Sequence, residues 1–106
     1  MRNEYGVTLD KNEYAPSIMQ AETKCFWCGD THGKLDRHEP FGGALRSKSK
    51  RLGMWCYLCH DTCHLRGAHG DATMGRELKK RAQQAAMEHY GIPTAEFIKL
   101  FGKNYL

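Results

Sequence analysis

The chain has 106 residues, 41% hydrophobic and 26% charged, with a formal net charge of +4. This is the composition of one small globular domain, and with no run of about 18 apolar residues it excludes a transmembrane helix. A chain so short buries too little surface for its apolar core alone to give a wide margin of stability, so a cross-link through metal or disulfide is expected.

Residues 1 to 24 read as an N-terminal arm. Tyr5, Val7 and Leu9 alternate as in a short strand, Asp10-Lys-Asn12 reads as a turn, and Pro16 limits ladder pairing beyond it. Met1 to Asp10 has no basic start followed by an apolar stretch, so no signal peptide is expected and the expected location is the cytoplasm. Residues 25 to 70 form the expected core. It opens on Cys25-Phe-Trp-Cys28-Gly29-Asp30, the pattern of a zinc knuckle in which two thiolates converge and a glycine supplies positive φ. A strand is expected over Lys34 to Phe41, broken by Gly42-Gly43, then a short helical turn over Arg46 to Leu52 ended by Gly53. Met54 to Leu58 reads as a buried strand leading into Cys59. Residues 71 to 106 form a helical segment packed on that core. Met74, Leu78, Ala82 and Ala85 predict a helix over Thr73 to Tyr90, capped by Thr73 and stopped by Gly91. A second helix is expected from Thr94 to Phe101, with Lys103 to Leu106 left as a tail.

All five cysteines and four of the six histidines fall between Cys25 and His64. In a reducing compartment such spacing points to metal rather than disulfides, and an odd cysteine count fits a four-ligand zinc site with one thiol left over. Two sets satisfy the spacing. Cys25, Cys28 and Cys59 belong to both, and the fourth ligand is Cys56 or Cys63. Cys56 shares a strand face with Met54 and Leu58, where a thiol behaves as a small apolar residue, and this favours Cys63.

A closed four-cysteine site leaves the histidines for other work. His38, His64 and His69 lie beside a basic block: residues 34 to 52 carry six basic and two acidic side chains, against three and five in residues 1 to 33. Such a field suits a polyanionic partner, with Arg37, Arg46, Lys48, Lys50 and Arg51 as candidate backbone contacts. Converging imidazoles next to it suit hydrolysis, one acting as general base and others holding a divalent cation at a phosphate.

In this order, Cys25-x2-Cys28, a histidine ending a first strand, a glycine-rich loop, a second strand, and Cys59 followed by Cys63-His64, the chain resembles the HNH nucleases. Their core is a ββα-metal finger braced by a zinc knuckle. Leu35-Asp-Arg-His38-Glu-Pro-Phe-Gly-Gly43, Leu58-Cys59-His-Asp-Thr-Cys63-His64 and Phe101-Gly-Lys-Asn-Tyr-Leu106 are similar to small phage and prophage proteins of that type. The resemblance implies an α+β fold, a ββα-metal finger followed by two C-terminal helices, with zinc on the cysteines. It also implies His38 as general base, His64 as a ligand at the start of the finger's helix, His69 as a further ligand, and a catalytic cation such as Mg, Mn or Ni. Arg37 stands where those sites place a carboxylate or histidine; Asp36 shares a strand face with His38, whereas Glu39 points away. The implied activity is hydrolysis of DNA phosphodiesters in a bacterial host cell, with no small-molecule cofactor and no membrane partner. The competing expectation is a non-catalytic zinc module that binds nucleic acid or a phage protein.

Overall fold

The structure is a computed structural model and describes residues 1–106. Its elements run β1 (Leu35–His38), a 3-10 turn (Gly43–Leu45) leading into α1 (Arg46–Arg51), β2 (Cys56–Cys59), a π-helical segment (His60–Ala68), α2 (Ala72–Tyr90) and α3 (Thr94–Phe101). The class is α+β, and no helix is long and apolar enough to cross a membrane.

β1 and β2 pair antiparallel, with Leu35 opposite Cys59, Asp36 opposite Leu58, Arg37 opposite Tyr57 and His38 opposite Cys56. Strand side chains alternate, so Asp36, His38, Cys56 and Leu58 share one face while Arg37 and Tyr57 share the other. Cys56 and Leu58 on the first face cluster with Met74 and Leu78 of α2. A second apolar cluster joins Phe41, Leu52 and Met54 to Ala82 and Ala86 of α2 and Phe97 and Phe101 of α3. The long helix therefore spans both clusters, and its buried residues Met74, Leu78, Ala82 and Ala86 recur at four-residue spacing as one face of a helix must.

Several boundaries differ from the sequence expectation for local reasons. β1 stops at His38, because Pro40 lacks a donor and Gly42-Gly43 favours turning over pairing. α2 is capped by Asp71, not Thr73: its carboxylate accepts from the N–H groups of Thr73 and Met74 at 2.9 and 3.3 Å. Gly91 and Gly102 end α2 and α3 as expected.

The arm forms no strand over Tyr5 to Leu9, only a lone bridge between Arg2 and Thr8. The Asn3 side-chain oxygen accepts the N–H of Tyr5 at 2.9 Å and of Val7 at 3.1 Å, so donors that a ladder needs are already used. Its amide donates to the Arg51 carbonyl at 2.6 Å, tying the arm to the end of α1. Asp10 makes the expected turn, accepting from the Asn12 and Tyr14 N–H groups. The chain then follows residues 50 to 55: Ala15 N–H donates to Lys50, the Trp55 indole donates to Ala15, and Ile18 N–H donates to Gly53.

The last residues are not a free tail. Gln83 on α2 is wholly buried; its amide donates to Asn104 at 2.8 Å and its oxygen accepts the Tyr105 N–H at 2.7 Å. Tyr105 then lies edge-on to Phe41, with ring centroids 4.9 Å apart.

Gly53 is where the arm approaches the core most closely. It has φ of +75°, and an added Cβ would collide with the Pro16 carbonyl oxygen. Gly53→Ala is expected to lower stability by about 2 kcal/mol or more, whereas Gly42→Ala, at an open position without positive φ, should cost less than about 0.5 kcal/mol. Paired urea titrations of the two variants measure the difference.

Candidate metal centres

The knuckle turn closes through its backbone. Gly29 N–H donates to the Cys25 carbonyl and Cys25 N–H to Asp30, each at 2.9 Å, with Gly29 at φ +81°. Phe26 N–H donates to the Tyr57 carbonyl at 2.7 Å, which locks the knuckle to β2. Cys59 ends β2, and Cys63 follows one turn later in the π-helical segment. The sulfurs of Cys25, Cys28, Cys59 and Cys63 all lie within 4.8 Å of one another. Cys63, and not Cys56, completes the set. Cys56 is fully buried on the sheet face against α2, and burial, reinforced by the neighbouring Cys25 charge, pushes its thiol well up.

The donor chemistry fits a structural metal such as zinc. Four thiolates at about 2.3 Å from a tetrahedral ion stand about 3.8 Å apart, and the Cys28 and Cys59 sulfurs are already 3.5 Å apart. Burial works to raise the Cys25 thiol, but N–H donation from Cys28 and Cys59, among other hydrogen bonds, outweighs it and lowers the group to about 6. Cys59 is raised to about 12, chiefly by its hydrogen bond with Cys28 and then by burial, and Cys63 is raised chiefly by burial. Without a cation the thiolate is therefore favoured at Cys25 and opposed at Cys59 and Cys63. A divalent ion reverses that balance and stabilises all four.

A second cluster lies beside the first. Ligand nitrogens of His38, His64 and His69 lie within 4.8 Å of one another, and the Nε2 atoms of His64 and His69 are 3.0 Å apart. The π-helical backbone makes this possible. His69 N–H donates to the His64 carbonyl at 3.0 Å, an i to i+5 bond, so residues five apart stand side by side. In an α-helix they would lie about 140° apart around the axis. His64 is thus the fifth residue of the π-helical segment, where the resemblance implies a ligand at the start of the finger's helix.

Asp36 orients this cluster. One carboxylate oxygen accepts from Nδ1 of His60 at 2.6 Å and from Nδ1 of His64 at 2.9 Å. Burial opposes the charge, but those two donations outweigh it and hold the Asp36 carboxyl below its ordinary range. With Nδ1 of His64 protonated, its Nε2 lone pair faces His69 and the cleft. His38, only 6% exposed, is lowered to about 4 by burial first and then by the positive charge that His64 and His69 can carry, so its ring is neutral near pH 7. A cleft of about 240 Å³ is lined by all three histidines with Arg37, Glu39, Gly42 and Arg46.

The basic side chains expected at a nucleic acid are largely occupied within the chain. Arg37 stacks on Tyr14 and Trp55, 4.5 and 4.8 Å from the ring centroids, and pairs with Asp10 at 3.3 Å. Arg46 donates to Glu39 at 2.6 Å, and Lys48 to the Leu100 carbonyl at 2.7 Å, capping the end of α3. Lys50 lies over Tyr14, and Arg51 pairs with Glu13 at 3.2 Å. Only Arg37 and Arg46 of the five border the histidine cleft.

Asp36 as the partner of His60 and His64 was not assigned from the sequence. The strand alternation that sets it beside His38 is legible, but the histidines it meets come from a segment after β2. No family model, characterised protein or solved structure matches the chain.

Cys63→Ser is expected to release the bound metal and unfold the domain. Cys56→Ser should retain one metal per chain and lose about 1–3 kcal/mol from burying a hydroxyl. Metal content by atomic emission together with circular dichroism measures both.

Proposed function

We propose that the protein is a metal-dependent DNA endonuclease of HNH type, hydrolysing phosphodiesters at the cleft lined by His38, His64 and His69. The observation that carries this reading is the meeting of three imidazoles in one polar cleft, with Asp36 behind His64 and the four-cysteine cluster beneath. The strand–strand–helix order of β1, β2 and the π-helical segment supports a ββα-metal finger, since it brings a strand-end histidine and helical histidines to one edge of the sheet.

His38 takes a proton from the attacking water. Its burial beside the cleft holds the ring in place, and its neutral form supplies the lone pair that a general base needs. His64 and His69 are the residues that would hold a divalent cation such as Mg, Mn or Ni, which when bound supplies charge neutralisation at the phosphate. Asp36 fixes the ring plane of His64 so that Nε2 points into the cleft. Arg46, held by Glu39 at the rim, lies where it can meet a phosphate oxygen.

A second reading, a zinc-braced module that binds nucleic acid or protein without cleaving it, draws support from Arg37, which cannot ligate a cation and is tied to Asp10. Nicking of supercoiled DNA with added magnesium, manganese or nickel separates the two. Under the nuclease reading His38→Ala abolishes cleavage while zinc content stays at the wild-type level, and Asp36→Asn slows cleavage by about 10- to 100-fold. Wild type and His38→Ala that bind DNA but are equally inert establish the module instead.

A further inference from the structure

The histidine cleft is one end of a longer groove. A neighbouring cleft of about 420 Å³ shares His38, Glu39, Gly42 and His69 with it and runs onto α2 at Arg76 and Lys79. Arg76 in turn borders a third cleft of about 540 Å³, lined also by Lys80, Tyr105 and Trp27. The track thus leads from the imidazoles, along the first two turns of α2, to the knuckle.

Its charge is more one-sided than its composition suggests. Three acidic residues border it, and each is already engaged: Glu39 with Arg46 at 2.6 Å, Glu77 with Arg81 at 3.3 Å, and Asp71 as the cap of α2. Arg76, Lys79 and Lys80 pair with no carboxylate; Arg76 donates only to Thr73, at 3.4 Å, and Lys79 stands 5.8 Å from the Tyr105 ring centroid. Trp27 at the far end is 44% exposed, in the short turn between the buried Cys25 and the exposed Cys28. An exposed indole next to unpaired cations is the arrangement that stacks a base and tracks a sugar-phosphate backbone.

We infer that this groove is the track for a single-stranded DNA segment, with Arg76, Lys79 and Lys80 on its phosphates and Trp27 stacked on an unpaired base. The inference rests on the nuclease reading only in placing the scissile phosphate at the histidine end. It moves the main backbone contacts from α1, whose cations brace the fold, to α2.

Fluorescence anisotropy of a labelled strand of about 20 nucleotides, measured between about 50 and 200 mM salt in the zinc-loaded His38→Ala background, tests it. Adding Arg76→Ala, Lys79→Ala and Lys80→Ala together should weaken binding at least about tenfold and flatten the salt slope by about two. Lys48→Gln with Lys50→Gln should stay within about twofold. Trp27→Ala should lose on the order of tenfold and Trp27→Phe should recover most of it, with zinc content unchanged in both. Binding by the α2 variant equal to that of its parent, or no binding by the parent at all, overturns the track. So does equal affinity for strand and blunt duplex together with no effect of Trp27→Ala. Nicking of supercoiled DNA is followed in the same α2 substitutions made with His38 intact. If binding follows the track but protein with His38 cleaves nothing, the track stands and the nuclease reading falls. Full cleavage by the α2 variant leaves the nuclease reading and removes the track.

Discussion

Four sulfur atoms held within 4.8 Å of one another join two stretches of chain that lie about thirty residues apart, and most of the remaining geometry follows from that junction. The knuckle residues Cys25 and Phe26 bond to Cys59 and Tyr57 of β2, so placing the thiols also places the strand. β2 in turn sets the register of β1 through four residue pairs, ending with His38 opposite Cys56. A two-stranded sheet of this size is marginal alone in water. Here it is held from below by the thiol cluster and α2, and on its other face the Arg37 side chain packs on Tyr14 of the arm and Trp55.

The same junction decides where the imidazoles meet. Cys63 must return toward Cys59, and the wider π-helical turn that returns it also sets His64 beside His69. Asp36 then joins that segment back to β1 through two charge-assisted hydrogen bonds, so the cleft is bounded by side chains already fixed from behind. The thiol site and the imidazole site therefore each draw one member from the same short segment, His60–Ala68, which supplies Cys63 to the first and His64 to the second. Order at the first site is therefore the condition for the geometry of the second.

Positive charge is divided between two jobs. The block Arg46 to Arg51 carries four cations in six residues with no acidic residue among them, yet those side chains hold the arm, the end of α3 and Glu39. Arg37 works in the same way, as a guanidinium sandwiched between aromatic rings and tied to Asp10. Arg76, Lys79 and Lys80, in an equally basic stretch interrupted by Glu77, keep their charge toward a groove that starts at the histidines. Counting charges along a chain measures the field's source but not which charges are already neutralised by a partner.

Features whose physics is local were legible in the sequence. Helix α3 runs from Thr94 to Phe101 as its apolar spacing and Gly102 dictate, α2 ends at Gly91, and α1 ends before Gly53. Strand alternation was enough to bury Cys56 beside Met54 and Leu58 and to direct the fourth ligand position to Cys63. The tertiary structure alone decided what depends on partners distant in the chain. Asn3 tied the arm across to Arg51, Gln83 drew an expected tail onto α2, and Asp36 found His60 and His64. Periodicity and turn chemistry act over a few residues and leave a readable trace. The choice among distant hydrogen-bond partners is made only when the chain closes around its thiols, and there the meeting of the three histidines was set.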